Sequence, residues 1–242
     1  MTNRVLVVVP AHNEALSLPG TLQEIKENLP GFSVLVIDDG STDATSDAAE
    51  AHSIKVIRIP FNAGVGGAMR LGFRFALRKG FNVVVQVDAD GQHNPKYVSE
   101  LINRLNNRHD KPDIVIGARF AGCGNYKLRG PRRWAIFALS KLMSRFAKTN
   151  LTDVTSGFRA SGTRAIKLFA EKYPTEYLGD TVESVAIALK EGLVVRQVPV
   201  AMRERKAGTP SHGPCRATLL LLRVVVAALV APLKSGKSKR CR

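Results

Sequence analysis

Residues 83–93 read VVVQVDADGQH. Val83, Val84, Val85 and Val87 form the short apolar run expected of a strand buried on both faces. Gly91, Asn94 and Pro95 are turn residues, so Asp88 and Asp90 stand where the strand gives way to a loop. In an open α/β sheet, ligands bind in the crevice beyond the carboxyl ends of the strands. Continued alternation along an extended chain would put Asp88, Asp90 and Gln92 on one side. Three oxygen-bearing side chains there suit a hard cation such as Mg2+ or Mn2+, and a partly hydrated cation on two carboxylates can seat a diphosphate. An Asp-x-Asp alone also describes a solvated acidic turn, so the surrounding chain has to decide.

Upstream, residues 5–9 predict a first strand that ends in Pro10, His12, Asn13 and Glu14. Leu16, Leu18, Leu22, Ile25 and Leu29 then follow a helical period closed by Pro30 and Gly31. Residues 34–37 predict a second strand ending in Asp38, Asp39 and Gly40, with Ser41, Thr42 or Asp43 as caps for a helix over 44–51. A third strand, IKVIRI, leads through Pro60, Phe61 and Asn62 into a glycine-rich turn and a helix over 68–79. A further strand over 114–116 precedes Gly117, Ala118 and Arg119. This alternation predicts a doubly wound, mainly parallel α/β sheet with helices on both faces. The glycines at 64, 66 and 67 do not meet GxGxxG after a first strand, and GxxxxGK[ST] is absent. Their expected role is tight packing and a helix start facing an anion. Acids thus recur at three strand ends: Glu14, Asp39 and the pair Asp88/Asp90. They answer either to a basic ligand or to a nucleoside diphosphate with its metal, and the second reading is favoured.

The net charge of +16 is unevenly placed. Residues 1–118 hold 12 basic and 13 acidic groups, whereas 119–148 hold 8 basic and no acidic ones. Residues 203–242 hold 10 basic groups and one acidic. Such blocks attract phosphates on nucleic acid, lipid or substrate. No recognised RNA- or DNA-binding motif accompanies them, which argues against a nucleic-acid partner. Three cysteines without CxxC spacing point to a reducing setting, and the N-terminal apolar run is too short for a signal peptide.

In order, the segments PAHNEA, VIDDGSTD, NAGVGGA, DADGQH, GAR and DVTSGFRA resemble the family 2 glycosyltransferases of the GT-A fold, most of all the dolichyl- or polyprenyl-phosphate sugar synthases. The resemblance runs from about residue 4 to 211. It implies that Pro10, His12, Glu14, Ile37 and Asp39 hold the nucleoside of a nucleotide-sugar donor. Asp88, Ala89 and Asp90 would meet the donor diphosphate, and Asp88, Asp90 and Gln92 the metal, Mg2+ or Mn2+. Arg119 and Arg205 would reach phosphate groups, and Asp153 would lie near the acceptor, a cap or turn role being its alternative. The family more often has Tyr or Phe at the place of His12. It often has Ser-Lys after the glycine at 208, where this chain reads Thr209-Pro210-Ser211-His212; His212, Lys206 or Arg203 are the alternatives for that lysine. The resemblance also implies inversion at the anomeric carbon. A lipid phosphate acceptor is already ionised and needs no strong base, whereas a glycan hydroxyl requires one. Asp180 or Glu183 is the candidate for that work, and a helix N-cap is the alternative role for Asp180.

From Pro131, the apolar residues Trp134, Phe137, Ala138, Leu142 and Phe146 alternate with Arg132, Arg133, Lys141, Arg145 and Lys148. Segment 127–148 therefore predicts a basic amphipathic helix at an anionic membrane surface, or else an ordinary surface helix. The run 217–233 is apolar all round except for Arg223, and is short for a span. A helix in or against the membrane is favoured, with Lys234, Lys237, Lys239 and Arg240 on headgroups; packing within the fold or in a dimer is the alternative. The expected organisation is a catalytic domain over 1–212 and a membrane-associating tail over 213–242. The expected location is the cytoplasmic face of a membrane.

Overall fold

The computed structural model describes residues 4–119, 131–175 and 180–203. The strands within them are β1 (Val5–Ala11), β2 (Ser33–Asp39), β3 (Lys55–Ile59), β4 (Val83–Gln86), β5 (Ile114–Ala118), β6 (Arg159–Gly162) and β7 (Val195–Pro199). They form a seven-stranded sheet in the order β3-β2-β1-β4-β6-β5-β7. Every pairing is parallel except those of β6, which runs antiparallel to both β4 and β5. The expected mainly parallel sheet is therefore present, with one reversed strand that its short sequence, RASG, did not announce.

Alternation along β1 divides the core in two. Leu6 and Val8 face one layer with Leu35, Ile37 and Val84, while Val5, Val7, Val9 and Ala11 face the other with Val36, Val83 and Val85. The first layer is covered by α3 (Gly64–Lys79), α5 (Pro131–Ala147), α6 (Thr163–Lys172) and α7 (Asp180–Lys190). The second is covered by α1 (Leu18–Asn28), α2 (Thr45–Ala51) and α4 (Val98–Leu105). Pro10 lies within β1 without breaking the sheet. It stands beyond the last bond to β4, in which Val87 N–H donates to the Val8 carbonyl at 3.0 Å.

Helix α3 begins at Gly64, four residues before the expected start. A methyl group on Gly66 would lie 2.3 Å from the Pro174 carbonyl oxygen, and one on Gly67 would lie 2.6 Å from the Ala63 methyl. The glycines are thus the helix's first turn, kept bare for close packing, and only Gly64 adopts a positive φ there.

Strand β1 lies between β2 and β4: the chain adds β2 and β3 on one side of it and then crosses to add β4 on the other. That is the topological switch point, and its crevice opens at the carboxyl ends of β1 and β4. Arg205, Lys206, His212, the run 217–233 and Lys234, Lys237, Lys239 and Arg240 lie outside the described residues, as do residues 127–130 and the side chains of Arg132, Arg133, Trp134 and Ala138.

Candidate active site

The loop after β1 is tied to the loop after β2. Asn13 adopts φ 54°, its N–H donates to Ser41 Oγ at 3.0 Å, and its Oδ1 accepts Thr42 N–H at 2.9 Å. Glu14 N–H donates to Thr45 Oγ1 at 2.9 Å, and Ser17 Oγ donates to the Glu14 carboxylate. His12 Nδ1 donates to the Asp39 carbonyl at 2.8 Å, which fixes the ring's proton and orientation. Pro10 and Ile37 are buried partners in the register of β1 and β2 beneath these loops. Glu14, His12 and Asp39 therefore meet at one rim, as their strand-end positions predict.

The two adjacent acids of β2 have different chemistry. Asp38 is fully buried, which would push its carboxyl up, but bonds from Ser41 and Ser46 outweigh this and hold it below the usual carboxylate range. Burial pushes Asp39 up, against the N–H groups of Ala63 and Gly64. Ala63 N–H donates to Asp39 Oδ1 at 2.8 Å, joining Asp39 to the approach of α3. Gly40 has φ +68°, and a side chain there would strike the Phe61 backbone at 2.6 Å.

After β4 the chain does not keep alternating. It turns at Ala89–Gly91, with Gly91 at φ 76° and Asp90 Oδ1 accepting Gln92 N–H at 3.0 Å. The extended alternation expected across Asp88, Asp90 and Gln92 is therefore absent, and a turn brings these residues out of the strand instead. Two hydrogen bonds join Gln92 to Arg203: Arg203 N–H donates to the Gln92 carbonyl at 3.1 Å, and Gln92 Nε2 reaches the Arg203 carbonyl at 3.5 Å. Ala89 is buried, and its carbonyl accepts Thr21 Oγ1 of α1 at 3.0 Å. Among the described residues no three His, Cys, Asp or Glu side chains gather as a metal site.

Asp88 is 36% exposed and is held from two sides. Gln86 Nε2 donates to its Oδ1 at 2.9 Å. His93, to which the sequence reading assigns no role, accepts Asp88 N–H on Nδ1 at 3.0 Å and sets Nε2 at 3.5 Å from Asp88 Oδ2. The His93 ring is buried and stacks on Phe158 at 4.8 Å. Behind this pair stands Gly157, where a methyl group would lie 2.8 Å from Gln86 Nε2 and 3.3 Å from Asp88 Oδ2. The spacing of five residues inside one motif was the available signal for His93.

On the other side of the crevice, Arg119 and Asp153 hold each other. Arg119 Nε and Nη2 donate to the two Asp153 oxygens at 2.6 and 2.9 Å, and its backbone N–H adds a third bond at 3.1 Å. Asp153 is wholly buried and also accepts Thr155 N–H and Oγ1. Burial alone would raise its carboxyl, but the Arg119 guanidinium holds it down. The geometry gives Asp153 the work of a buried counter-ion and turn anchor.

Arg159, at the start of β6, is buried and donates to the carbonyls of Ser156, Val154 and Thr181 and to Ser184 Oγ, all between 2.7 and 2.9 Å. It fastens the 153–158 loop to the first turn of α7. Asp180 opens that helix and is 8% exposed. Its Oδ2 has no hydrogen-bond partner among the described residues. Burial pushes its carboxyl up to about 6, opposed by Arg159 and aided by the nearby Asp88 charge. Burial also raises the Tyr173 hydroxyl, with the Asp180 charge adding to the rise. Glu183, one turn along α7, is exposed.

Helix α5 presents Leu139, Met143 and Ala147 to the core and leaves Phe137, Lys141, Arg145 and Phe146 at the surface, followed by exposed Lys148. The predicted apolar stripe is therefore shifted: Phe137 and Phe146 are solvent-facing beside the cations. No helix of the described residues is long and apolar enough to cross a membrane.

These features agree with what the chain is similar to. It is 35% identical to an undecaprenyl-phosphate mannosyltransferase of Micrococcus luteus, covering 85% of this chain and 86% of that protein. It is 29% identical to a polyprenol monophosphomannose synthase of Mycolicibacterium smegmatis over 86% of this chain and 80% of the relative. Among solved structures, glucosyl-3-phosphoglycerate synthase from Mycobacterium tuberculosis, in complex with Mn2+, uridine diphosphate and phosphoglyceric acid, superposes with a TM-score of 0.72. That match spans 95% of this chain and 80% of the other at 18% identity, and it establishes the GT-A fold. The family model for glycosyl transferase family 2 matches residues 6–170, which include every acid at the crevice rim and the Arg119–Asp153 pair; the chain belongs to that family.

Proposed function

We propose that this chain is an inverting hexosyltransferase that moves a sugar from a nucleotide sugar to a polyprenyl phosphate at the membrane surface. The observation that carries the reading is the crevice at the β1/β4 switch point, rimmed by Asp39, Asp88 and Asp90, in a chain similar over most of its length to enzymes named for polyprenyl phosphate carriers. A third relative, from Methanococcus voltae, is a UDP-N-acetylglucosamine–dolichyl-phosphate transferase, 26% identical over 96% of this chain.

In this reading His12, Glu14 and Asp39 receive the nucleoside, with Pro10 and Ile37 as the floor. Asp88 and Asp90 would hold a divalent cation. The donor set fits, because two carboxylates are what Mg2+ takes from protein when water and phosphate oxygens supply its other positions. Mn2+ or Mg2+ accompanies uridine diphosphate in the M. tuberculosis structures. When bound, the cation supplies positive charge against the departing nucleoside diphosphate. Gln86 and His93 keep Asp88 oriented while the donor binds. Arg119, braced by Asp153, presents a fixed cation at the acceptor side, and Arg205 belongs to the same phosphate-binding set. The acceptor phosphate attacks the anomeric carbon as an anion, so no proton need be removed first. The surface of α5, with Phe137, Phe146, Lys141, Arg145 and Lys148, lies against anionic lipid on the cytoplasmic side.

A second reading keeps the donor and changes the acceptor to a hydroxyl. It is favoured by Asp180, a buried carboxyl near Asp88 pushed up to about 6 and able to take a proton. The test is transfer from radiolabelled GDP- and UDP-sugars, with Mg2+ or Mn2+, to membranes containing polyprenyl phosphate. A chloroform-soluble, mild-acid-labile product that disappears with EDTA is the expected result. Donor turnover without it transfers the case to the hydroxyl acceptor.

A further inference from the structure

The loop bearing Asp88 and Asp90 is enclosed by a ring of contacts that begins and ends on α1. Thr21 of α1 donates to the Ala89 carbonyl at 3.0 Å. Three residues on, Gln92 exchanges hydrogen bonds with Arg203 at 3.1 and 3.5 Å. Arg203 Nη1 in turn donates to Glu24 Oε2 at 2.6 Å, and Glu24 is again on α1, one turn from Thr21. Residues at i and i+3 share a helix face, so both ends of the ring stand on the same side of α1. Glu24 and Arg203 are 179 residues apart in the chain, and both side chains are about one-third exposed or less.

We infer that Arg203 is a positioning residue for the donor diphosphate: paired with Glu24, it clamps the 88–92 loop against α1. The inference rests on the transferase reading above and deepens it. The sequence left Arg203 open as a phosphate ligand, but its guanidinium is directed to Glu24, and its backbone to Gln92. The clamp holds the acidic loop at both of its ends: Thr21 at Ala89, and Arg203 at Gln92. Without the Glu24 contact, the backbone bonds between Arg203 and Gln92 are no longer anchored to α1, and Thr21 is left as the direct tie from α1 to the loop.

The test compares wild type with Glu24→Ala, Arg203→Ala and the exchanged pair Glu24→Arg with Arg203→Glu. Initial rates are measured against GDP-mannose and UDP-glucose, and separately against polyprenyl phosphate. Each single variant is expected to raise the donor KM about five-fold, while kcat and the acceptor KM stay within about two-fold. The exchanged pair is expected to recover most of that loss. A phosphate-binding Arg203 would not be rescued by charge exchange, so failure of rescue overturns the inference, as does an unchanged donor KM in both single variants. Glu24→Gln, which keeps the shape, is expected to give the same KM change with an unchanged melting midpoint. Calorimetric titration of GDP and UDP with Mn2+ reads the clamp without turnover: about five-fold weaker binding in the single variants supports it and equal binding overturns it. If wild type gives no product but the binding difference persists, the transferase reading fails and the clamp stands.

Discussion

The two sides of the crevice solve the same problem differently. On the β1–β4 side, charge is used sparingly: acids sit at strand ends and are oriented by neutral donors such as Ser41, Ser46, Gln86 and the backbone of Ala63. On the β5–β7 side, orientation comes from buried ions, with Arg119 on Asp153 and Arg159 spread over four acceptors. In the proposed reading, the first arrangement is the one in which Asp88 and Asp90 would receive a cation. The second commits its own charges to each other and to carbonyls, so its rigidity is bought with desolvated groups that tolerate no loss of a partner. One side is built to bind; the other is built to hold shape next to the binding.

Substitutions on the two sides should therefore fail in different ways. Asp90→Ala is expected to lower sugar transfer about a thousandfold with an unchanged unfolding midpoint, because a loop carboxylate adds little to stability. Rates and a denaturant melt on one preparation check both halves, and retained turnover removes the metal from the proposed mechanism. Asp153→Ala is expected to cost about 3–5 kcal/mol in folding, since it strands Arg119. A urea titration measures that loss, and a variant as stable as wild type would end the contrast between the two sides.

The third prediction concerns pH. Asp180 has a folded value near 6 against an ordinary 3.8, so the stability linked to its neutral form is complete below pH 3.8 and is lost as the pH rises through 6. Asp153 has the opposite sign, since its carboxyl is held down: its contribution is present above pH 3.8 and is lost on acidification. Asp180→Asn should thus flatten the stability curve between pH 4 and 6, by up to about 3 kcal/mol. Unfolding curves at pH 4, 5, 6 and 7 for both proteins decide it. The smallest effect is expected at the surface. Lys141→Ala with Arg145→Ala should weaken sedimentation with phosphatidylserine vesicles about twenty-fold, at near 1 kcal/mol for each basic residue. Equal sedimentation would leave α5 as a plain covering helix.

The β1–β4 side was legible in the sequence because its signals are local. Valine runs mark β1, β2 and β4, and the acids that follow them need only parallel strands to meet. The glycine stretch was misplaced as a turn, since only the approach of Pro174 reveals that a helix can begin there with no side chains. The reversed strand β6 was hidden because Arg159 and Ser161 interrupt any apolar pattern, and both are buried for reasons that lie in α7 and β4. The resemblance puts Asp153 near the acceptor, but its pairing with Arg119, 34 positions earlier, lies beyond any spacing rule. Asp180 was identified as a candidate acid, but the burial that leaves its Oδ2 without a partner among the described residues is a property of packing. Gln92 and Arg203 illustrate the same limit at a separation of 111 residues.

The reversed strand has one more consequence, for the order in which the protein can be made. Residues up to 86 can pair β1, β2, β3 and β4 as soon as they leave the ribosome, since each pairing among them looks back less than 80 residues. Strand β5 emerges next, but its neighbour on the inner side is β6, which ends at Gly162. Until then β4 presents an open edge, and β5 has nothing to join. Insertion of β6 closes both gaps in one event and carries Gly157 to its place behind Asp88. The nascent chain thus holds four paired strands for about 75 residues of synthesis before Asp88 receives its backing, an interval in which a chaperone has an exposed strand to guard.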